Sequence, residues 1–316
     1  MERELEKILR CPVERGKPLA RLTTLGVGGQ AELYVEPADL EDLRTLWLLA
    51  AQEGVPVRVL GGGSNVIFPD GTTPGVVLST RRWAASSWQE QGDDVEVEVQ
   101  AGYPLPALVD EAVRRGLGGL EFAVGIPGTV GGALAGNAGA GGRGICGLLT
   151  EVATLESDGS LRRWRPEEFS CAYRSFSLAE EGRLFLACQM RLSPLPREEV
   201  EAELARFRSL RAAQPQGVRS AGCTFKNPPG DSAGRLLDRY GCKGMTAGDA
   251  VVSDRHANFI LNRGRASSSD VVELIWACRK RVFEGAGVWL EPEIRFVGFG
   301  GGEPLFDEGK DRLCAG

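Results

Sequence analysis

The sequence predicts an α+β fold divided into two or three subdomains, and three observations lead there. At 316 residues the chain exceeds the size at which one hydrophobic core stays efficient. Amphipathic helical segments alternate with short β-branched or alternating runs along its length. Near Pro215 the texture changes: a charged helix gives way to short strands and one long amphipathic helix.

The elements follow in order. Pro37-Ala38-Asp39 and then LEDLRTLWLLAAQEG read as a helix with Asp39 as N-cap and Gly54 as its stop. VPVRVL, GVVLST and DVEVEVQAG read as strands, the last alternating as a half-buried strand does. PLPALVDEAVRR is a second helix, ending at Gly116. VATLESDGSLRRW reads as a hairpin turning at Asp158-Gly159, LFLACQMRLSP as a strand and 198–213 as a charged helix. Beyond Pro215 come the helix AGRLLDRYG, the strand VSDRHANFILN and a long helix begun by Ser269 or Asp270. On that helix Val271, Leu274, Ile275, Cys278 and Val282 share one face. The end, FGGGEPLFDEGKDRLCAG, reads as a flexible tail.

A formal net charge of −6 argues against nucleic-acid or anionic-membrane binding, both of which need a basic surface. The opening MERELEKILR is charged, unlike a signal peptide, and no apolar run is long enough to span a bilayer, so a soluble cytoplasmic protein is expected. Eight cysteines are scattered without a CxxC pair and His256 is the only histidine, which argues against a metal site and for thiols acting as small buried hydrophobes.

The 43 glycines are the one excess, crowded between Gly26 and Gly147. Two loops stand out: Gly61-Gly62-Gly63-Ser64-Asn65, and Gly125-Ile-Pro-Gly128-Thr129-Val-Gly-Gly132 with Asn137 close behind. Residues without Cβ let successive main-chain N–H groups converge on an anion, so a pyrophosphate-bearing cofactor is the natural occupant. Gly26-Val-Gly-Gly-Gln-Ala31 fits the weak dinucleotide pattern, but AELYVEP continues as a strand where a helix is needed, and no P-loop motif exists.

TTLGVGGQAE, LGGGSNVI, GIPGTVGGALAGNAGA, YRSF, SAGCTFKNP and WLEPEIRFVG occur in the order and spacing of the UDP-N-acetylenolpyruvoylglucosamine reductase family, which the chain resembles from about Leu19 to Gly298. The resemblance implies a two-subdomain FAD-binding fold of the vanillyl-alcohol-oxidase (PCMH) type at 1–80 and 81–214, a C-terminal α/β substrate-binding domain at 215–299, and a tail at 300–316. It implies NADPH-dependent reduction of the enolpyruvyl ether of UDP-N-acetylglucosamine to UDP-N-acetylmuramate in bacterial peptidoglycan synthesis. Gly61, Gly62, Gly63, Ser64, Asn65, Gly125, Gly128, Thr129, Gly132 and Asn137 would hold the FAD diphosphate and ribose.

That reduction places negative charge on the carbon next to the substrate carboxylate, and something cationic or proton-donating must face it. Arg174, in CAYRSF, suits this because a guanidinium engages both carboxylate oxygens at any working pH. Glu293 lies on an alternating run that puts Glu291, Glu293 and Arg295 on one face; only the resemblance singles it out over Glu291. Where the best-known members carry a proton-donating serine, this chain has Cys223, whose thiol is a better acid than an aliphatic hydroxyl. By the same matching Arg211, Lys226, Asn227 and His256 would contact the UDP-sugar. Residues 177–183 run straight into LFLACQM, which implies the short form of the family without its extra tyrosine-bearing loop. Two alternatives stay open: an FAD-dependent oxidase of the same fold, and a flavin- or nucleotide-sugar-binding relative without turnover. Oligomeric state and the preference for NADPH over NADH are not legible.

Overall fold

The computed structural model describes residues 2–179 and 182–299, so the expected tail at 300–316 lies outside the described residues. The described residues form two compact units, each assembled from several segments: 2–14, 33–62 and 75–212 in the first, and 15–32, 63–74 and 213–299 in the second.

The first unit is built on an antiparallel sheet in which Leu161–Trp164, Leu149–Leu155, Leu184–Pro194, Asp94–Gln100 and Ser86–Gln91 lie side by side in that order. Leu184–Pro194 is its hub, with Cys188 opposite Val152 on one side and Met190 opposite Val97 on the other. The inward residues Val97, Val99, Val152 and Met190 share a core with Leu105, Leu108 and Val109 of the helix Leu105–Arg114. Each such fully buried aliphatic side chain contributes roughly 1.5–3 kcal/mol. The expected hairpin at Asp158-Gly159 is present, with Gly159 at φ +77 and the Asp158 carboxylate accepting from Ser160 N at 2.9 Å. The helix Leu40–Gln52 begins where expected, because Asp39 accepts from Asp42 N at 2.9 Å. Its buried residues Leu43 and Leu46 pack with Val76, Leu78, Leu155 and Leu184 in a second core.

The second unit carries a four-stranded sheet ordered Ser220–Cys223, Phe259–Asn262, Ala250–Val252, Thr246–Ala247, packed with the helices Ala233–Arg239 and Ser268–Ala286. Two sequence expectations are corrected here. VSDRHANFILN is not one strand: it turns between Val252 and Phe259, where Ser253 Oγ accepts from the amides of Arg255 and His256 at 3.2 and 3.3 Å. The long helix starts earlier than Ser269, because Ser267 is the N-cap and forms a reciprocal capping box with Asp270. All five residues of its predicted apolar face are buried. Its first turn also receives a distant carboxylate: Asp70 accepts from Ser268 N at 2.6 Å and from Ser269 N and Oγ at 2.9 and 2.7 Å. Among the described residues no helix is long and apolar enough to cross a membrane.

Candidate active site

In the first unit Gly61 and Gly62 of one glycine loop approach Gly128 and Thr129 of the other. A Cβ on Gly62 would lie 2.5 Å from Gly128 Cα, and one on Gly61 would lie 2.3 Å from Thr129 Oγ1, so this approach requires bare backbone at both positions. Thr129 caps the short helix Val130–Ala135 by accepting from Gly132 N at 3.4 Å. Among the described residues, the amides of Gly61, Gly62, Gly125 and Gly128 donate to no main-chain carbonyl. Arg81, which sequence reasoning missed, donates to the carbonyls of Gly61 and Gly62 at 3.4 and 3.3 Å. It puts a cation beside amides that remain available, a combination suited to a diphosphate. The signal was absent from the sequence, because Arg81 follows a strand end with no motif around it.

Arg174 stands in the same unit on a small hairpin formed by Cys171–Ala172 and Ser175–Phe176. Its φ of +55 is left-handed, a conformation costing a non-glycine residue of order 1 kcal/mol and held only when the surroundings enforce it. Three contacts do so. Cys171 is disulfide-bonded to Cys146, a pairing that spacing alone did not reveal. Asn137 donates from Nδ2 to Ala172 O at 2.8 Å and accepts at Oδ1 from Cys146 N at 3.3 Å, joining both ends of that bond. The guanidinium of Arg174 donates to Gly139 O at 3.4 and 3.5 Å. Asn137, predicted to touch the cofactor, thus also braces the hairpin.

Cys223 and Glu293 come together in the second unit. The strand Ser220–Cys223 pairs Ser220 with Leu261 and Cys223 with Phe259, so one extra residue is accommodated as a bulge, with Gly222 at φ +80. The bulge turns Cys223, half-buried, at the strand end. The carbonyl of the next residue, Thr224, accepts from Glu293 N at 2.8 Å, so the backbone carrying Cys223 and the backbone carrying Glu293 run next to each other. The segment carrying Glu293 is less regular than its alternation suggests, because Pro292 lacks a donor and only Arg295–Phe296 forms a ladder, parallel to Val66–Ile67. The alternation still sorts the side chains, with Ile294 buried and Glu291 exposed.

The residues expected to meet the UDP-sugar are divided. Arg211 closes the helix Arg197–Arg211 in the first unit and runs beside Gly125, whose Cβ would lie 3.4 Å from Arg211 Cδ. Lys226, Asn227 and His256 belong to the second unit. The Lys226 ammonium is paired with Glu291. Asn227 Oδ1 accepts from Ala233 N at 3.0 Å. His256 Nδ1 accepts from Asn258 N at 3.2 Å, and burial lowers its pKa from the ordinary value, so the ring is held neutral with its proton on Nε2.

Comparison with known proteins finds matches to both parts of the chain. The family profile "FAD binding domain" matches residues 31–164, and "UDP-N-acetylenolpyruvoylglucosamine reductase, C-terminal domain" matches 214–297. UDP-N-acetylenolpyruvoylglucosamine reductase 2 of Symbiobacterium thermophilum is 41% identical over 94% of this chain and 97% of its own length. The UDP-N-acetylenolpyruvoylglucosamine reductase of Moorella thermoacetica is 40% identical over 94% and 97%. The crystal structure of the enzyme from Thermus caldophilus is similar at a TM-score of 0.77 and 38% identity, over 91% of this chain and 99% of that one.

Proposed function

The chain belongs to the family of UDP-N-acetylenolpyruvoylglucosamine reductases, and on that premise we propose that it binds FAD and reduces UDP-N-acetylglucosamine enolpyruvate to UDP-N-acetylmuramate with NADPH, in the cytoplasm, for bacterial peptidoglycan synthesis. The observation that supports the reading is the hydrogen bond from Glu293 N to Thr224 O, which brings the backbone segments carrying Cys223 and Glu293 next to each other.

Bound FAD, reduced by NADPH, supplies the hydride. The loops at 61–64 and 125–132, with Asn137, would hold the cofactor: main-chain amides would meet its diphosphate and Arg81 would add charge. Residues 1–80 and 81–214 act as flavin-binding subdomains and 215–299 as the substrate domain. Arg174 engages the substrate carboxylate through two N–H groups and stabilises the charge that grows there. Cys223 gives its Sγ proton to the carbon that received no hydride, and water returns a proton to the thiolate. Glu293, protonated or linked through water, steadies the same charge. Arg211, Lys226, Asn227 and His256 hold the UDP-sugar. Nε2–H of His256 is a donor, and loading Lys226 requires its ammonium to exchange Glu291 for phosphate.

The test is spectroscopic. Flavin absorbance that bleaches with NADPH without oxygen and returns on adding UDP-N-acetylglucosamine enolpyruvate is the expected result. A protein that takes up no FAD, or whose reduced flavin the enolpyruvyl sugar does not reoxidise, overturns the proposal.

A further inference from the structure

Asn65 closes the LGGGSN motif, and its position alone marks it as a cofactor ligand. Its contacts point elsewhere. Asn65 Nδ2 donates to Glu293 O at 2.9 Å, and Asn65 O accepts from Arg295 N at 3.1 Å. One residue thus grips the segment on both sides of Ile294, and the grip continues as Val66 opposite Arg295 and Ile67 opposite Phe296.

Asn65 is itself fixed from behind. Gly63 O accepts from Thr24 N at 2.9 Å, and a Cβ on Gly63 would lie 2.0 Å from Leu22 O, so the loop backbone has no room to shift. Around Glu293 the other main-chain groups are occupied in turn: Leu290 O accepts from Arg279 Nε at 2.8 Å, Glu291 O from Lys226 N at 2.8 Å, and Glu293 N donates to Thr224 O. The Glu293 carbonyl is the position in this series that depends on the side-chain amide of Asn65.

We propose that Asn65 is a positioning residue for Glu293: its amide fixes the peptide from which that carboxylate projects, so the flavin loop and the acid are set by one side chain. This rests on the reading of Glu293 as the acid of the reduction. The expected effects therefore fall on the half of the cycle in which Glu293 acts.

The experiment uses the FAD-loaded full chain with Asn65→Ala and Asn65→Asp, the second keeping the shape but turning an acceptor toward the Glu293 carbonyl. Flavin content and the rate of flavin reduction by NADPH stay within about twofold of wild type, while reoxidation by UDP-N-acetylglucosamine enolpyruvate slows about tenfold, as for one lost hydrogen bond. Placed on Glu293→Gln, Asn65→Ala slows reoxidation no further, because the group it orients is gone. The pH dependence of reoxidation shifts in Asn65→Asp and keeps its wild-type form in a control such as Ser87→Ala, far off in sequence on an outer strand. Loss of flavin, equal slowing of both half-reactions, or additive losses with Glu293→Gln overturn the assignment. A wild type whose flavin NADPH reduces but the enolpyruvyl sugar does not reoxidise strikes the function itself and removes Glu293's role with it, an outcome separable from a normal wild type with failing variants.

Discussion

Arg174 and the Cys223–Glu293 pair are held in opposite ways. Arg174 stands on an exposed hairpin, in a left-handed conformation, tied by one disulfide, one asparagine and its own bond to Gly139 O. Cys223 and Glu293 stand on segments whose main-chain groups are pinned at nearly every residue, by Thr224, Asn65, Lys226, Arg279 and Asn258. A hairpin whose ties include one covalent bond responds to the loss of that bond. A segment held by many weaker ones keeps its fold when one is lost, so the loss shows in the geometry of the side chains it carries.

The sharpest test of that contrast is the reacting group itself. Cys223→Ala leaves reduction by NADPH intact and slows reoxidation by substrate at least about a hundredfold, whereas Cys223→Ser keeps measurable turnover; stopped-flow absorbance separates the two half-reactions. Equal reoxidation by wild type and Cys223→Ala would show that the pinned segment carries no proton donor.

Next comes the tie under Arg174. The bond between Cys146 and Cys171 closes a separation of 25 residues, and Cys171→Ser or prior reduction lowers the unfolding free energy by about 3 kcal/mol in chemical denaturation. The same change raises KM for the enolpyruvyl sugar while reduction by NADPH holds. Thiol titration of the unfolded protein finds two fewer groups before reduction than after. Full titration without reductant would remove the tie from the comparison.

A smaller effect is expected at Asp70. Burial alone raises its pKa, but the bonds from Ser269 and Ser268 outweigh that and hold it below the ordinary carboxylate value. A lowered pKa adds stability that is complete above the unfolded value of about 3.9 and fades as pH falls through the folded one. Asp70→Asn loses about 1–2 kcal/mol near neutrality and flattens that acid slope. The smallest shift belongs to His256, whose pKa is lowered mainly by burial. Its contribution is complete above about 6.5 and is lost as pH falls below that, since the unfolded chain takes up the proton first. His256→Gln removes this slope below about pH 6.5.

The contrast also explains what the sequence disclosed. The glycine loops were legible because a close backbone approach leaves its mark in residue type, and the start of Leu40–Gln52 and the buried face of Ser268–Ala286 because the cap at Asp39 and an apolar stripe act locally. Arg174, Cys223 and Glu293 carried no such mark and were singled out only by resemblance, since an arginine after a strand or a glutamate on an alternating run is what most surfaces show. Cys146 with Cys171, Asp70 with Ser268, and Asn65 with Glu293 were invisible, because each joins segments that only tertiary folding brings together. The turn inside VSDRHANFILN escaped notice because Ser253 supplies with its hydroxyl what glycine or proline supplies elsewhere.

The Asp70 contact also sets a timetable. Its partners Ser268 and Ser269 lie 198 and 199 residues later, so at roughly 5–20 residues per second a ribosome emits Asp70 about 10–40 s before they exist. During that interval Leu25, Val27 and Ile67 have been made but the core they complete has not. The nascent chain spends its synthesis with those apolar residues awaiting partners, which makes it a client for holding chaperones and makes slow translation after residue 213 a hazard to yield.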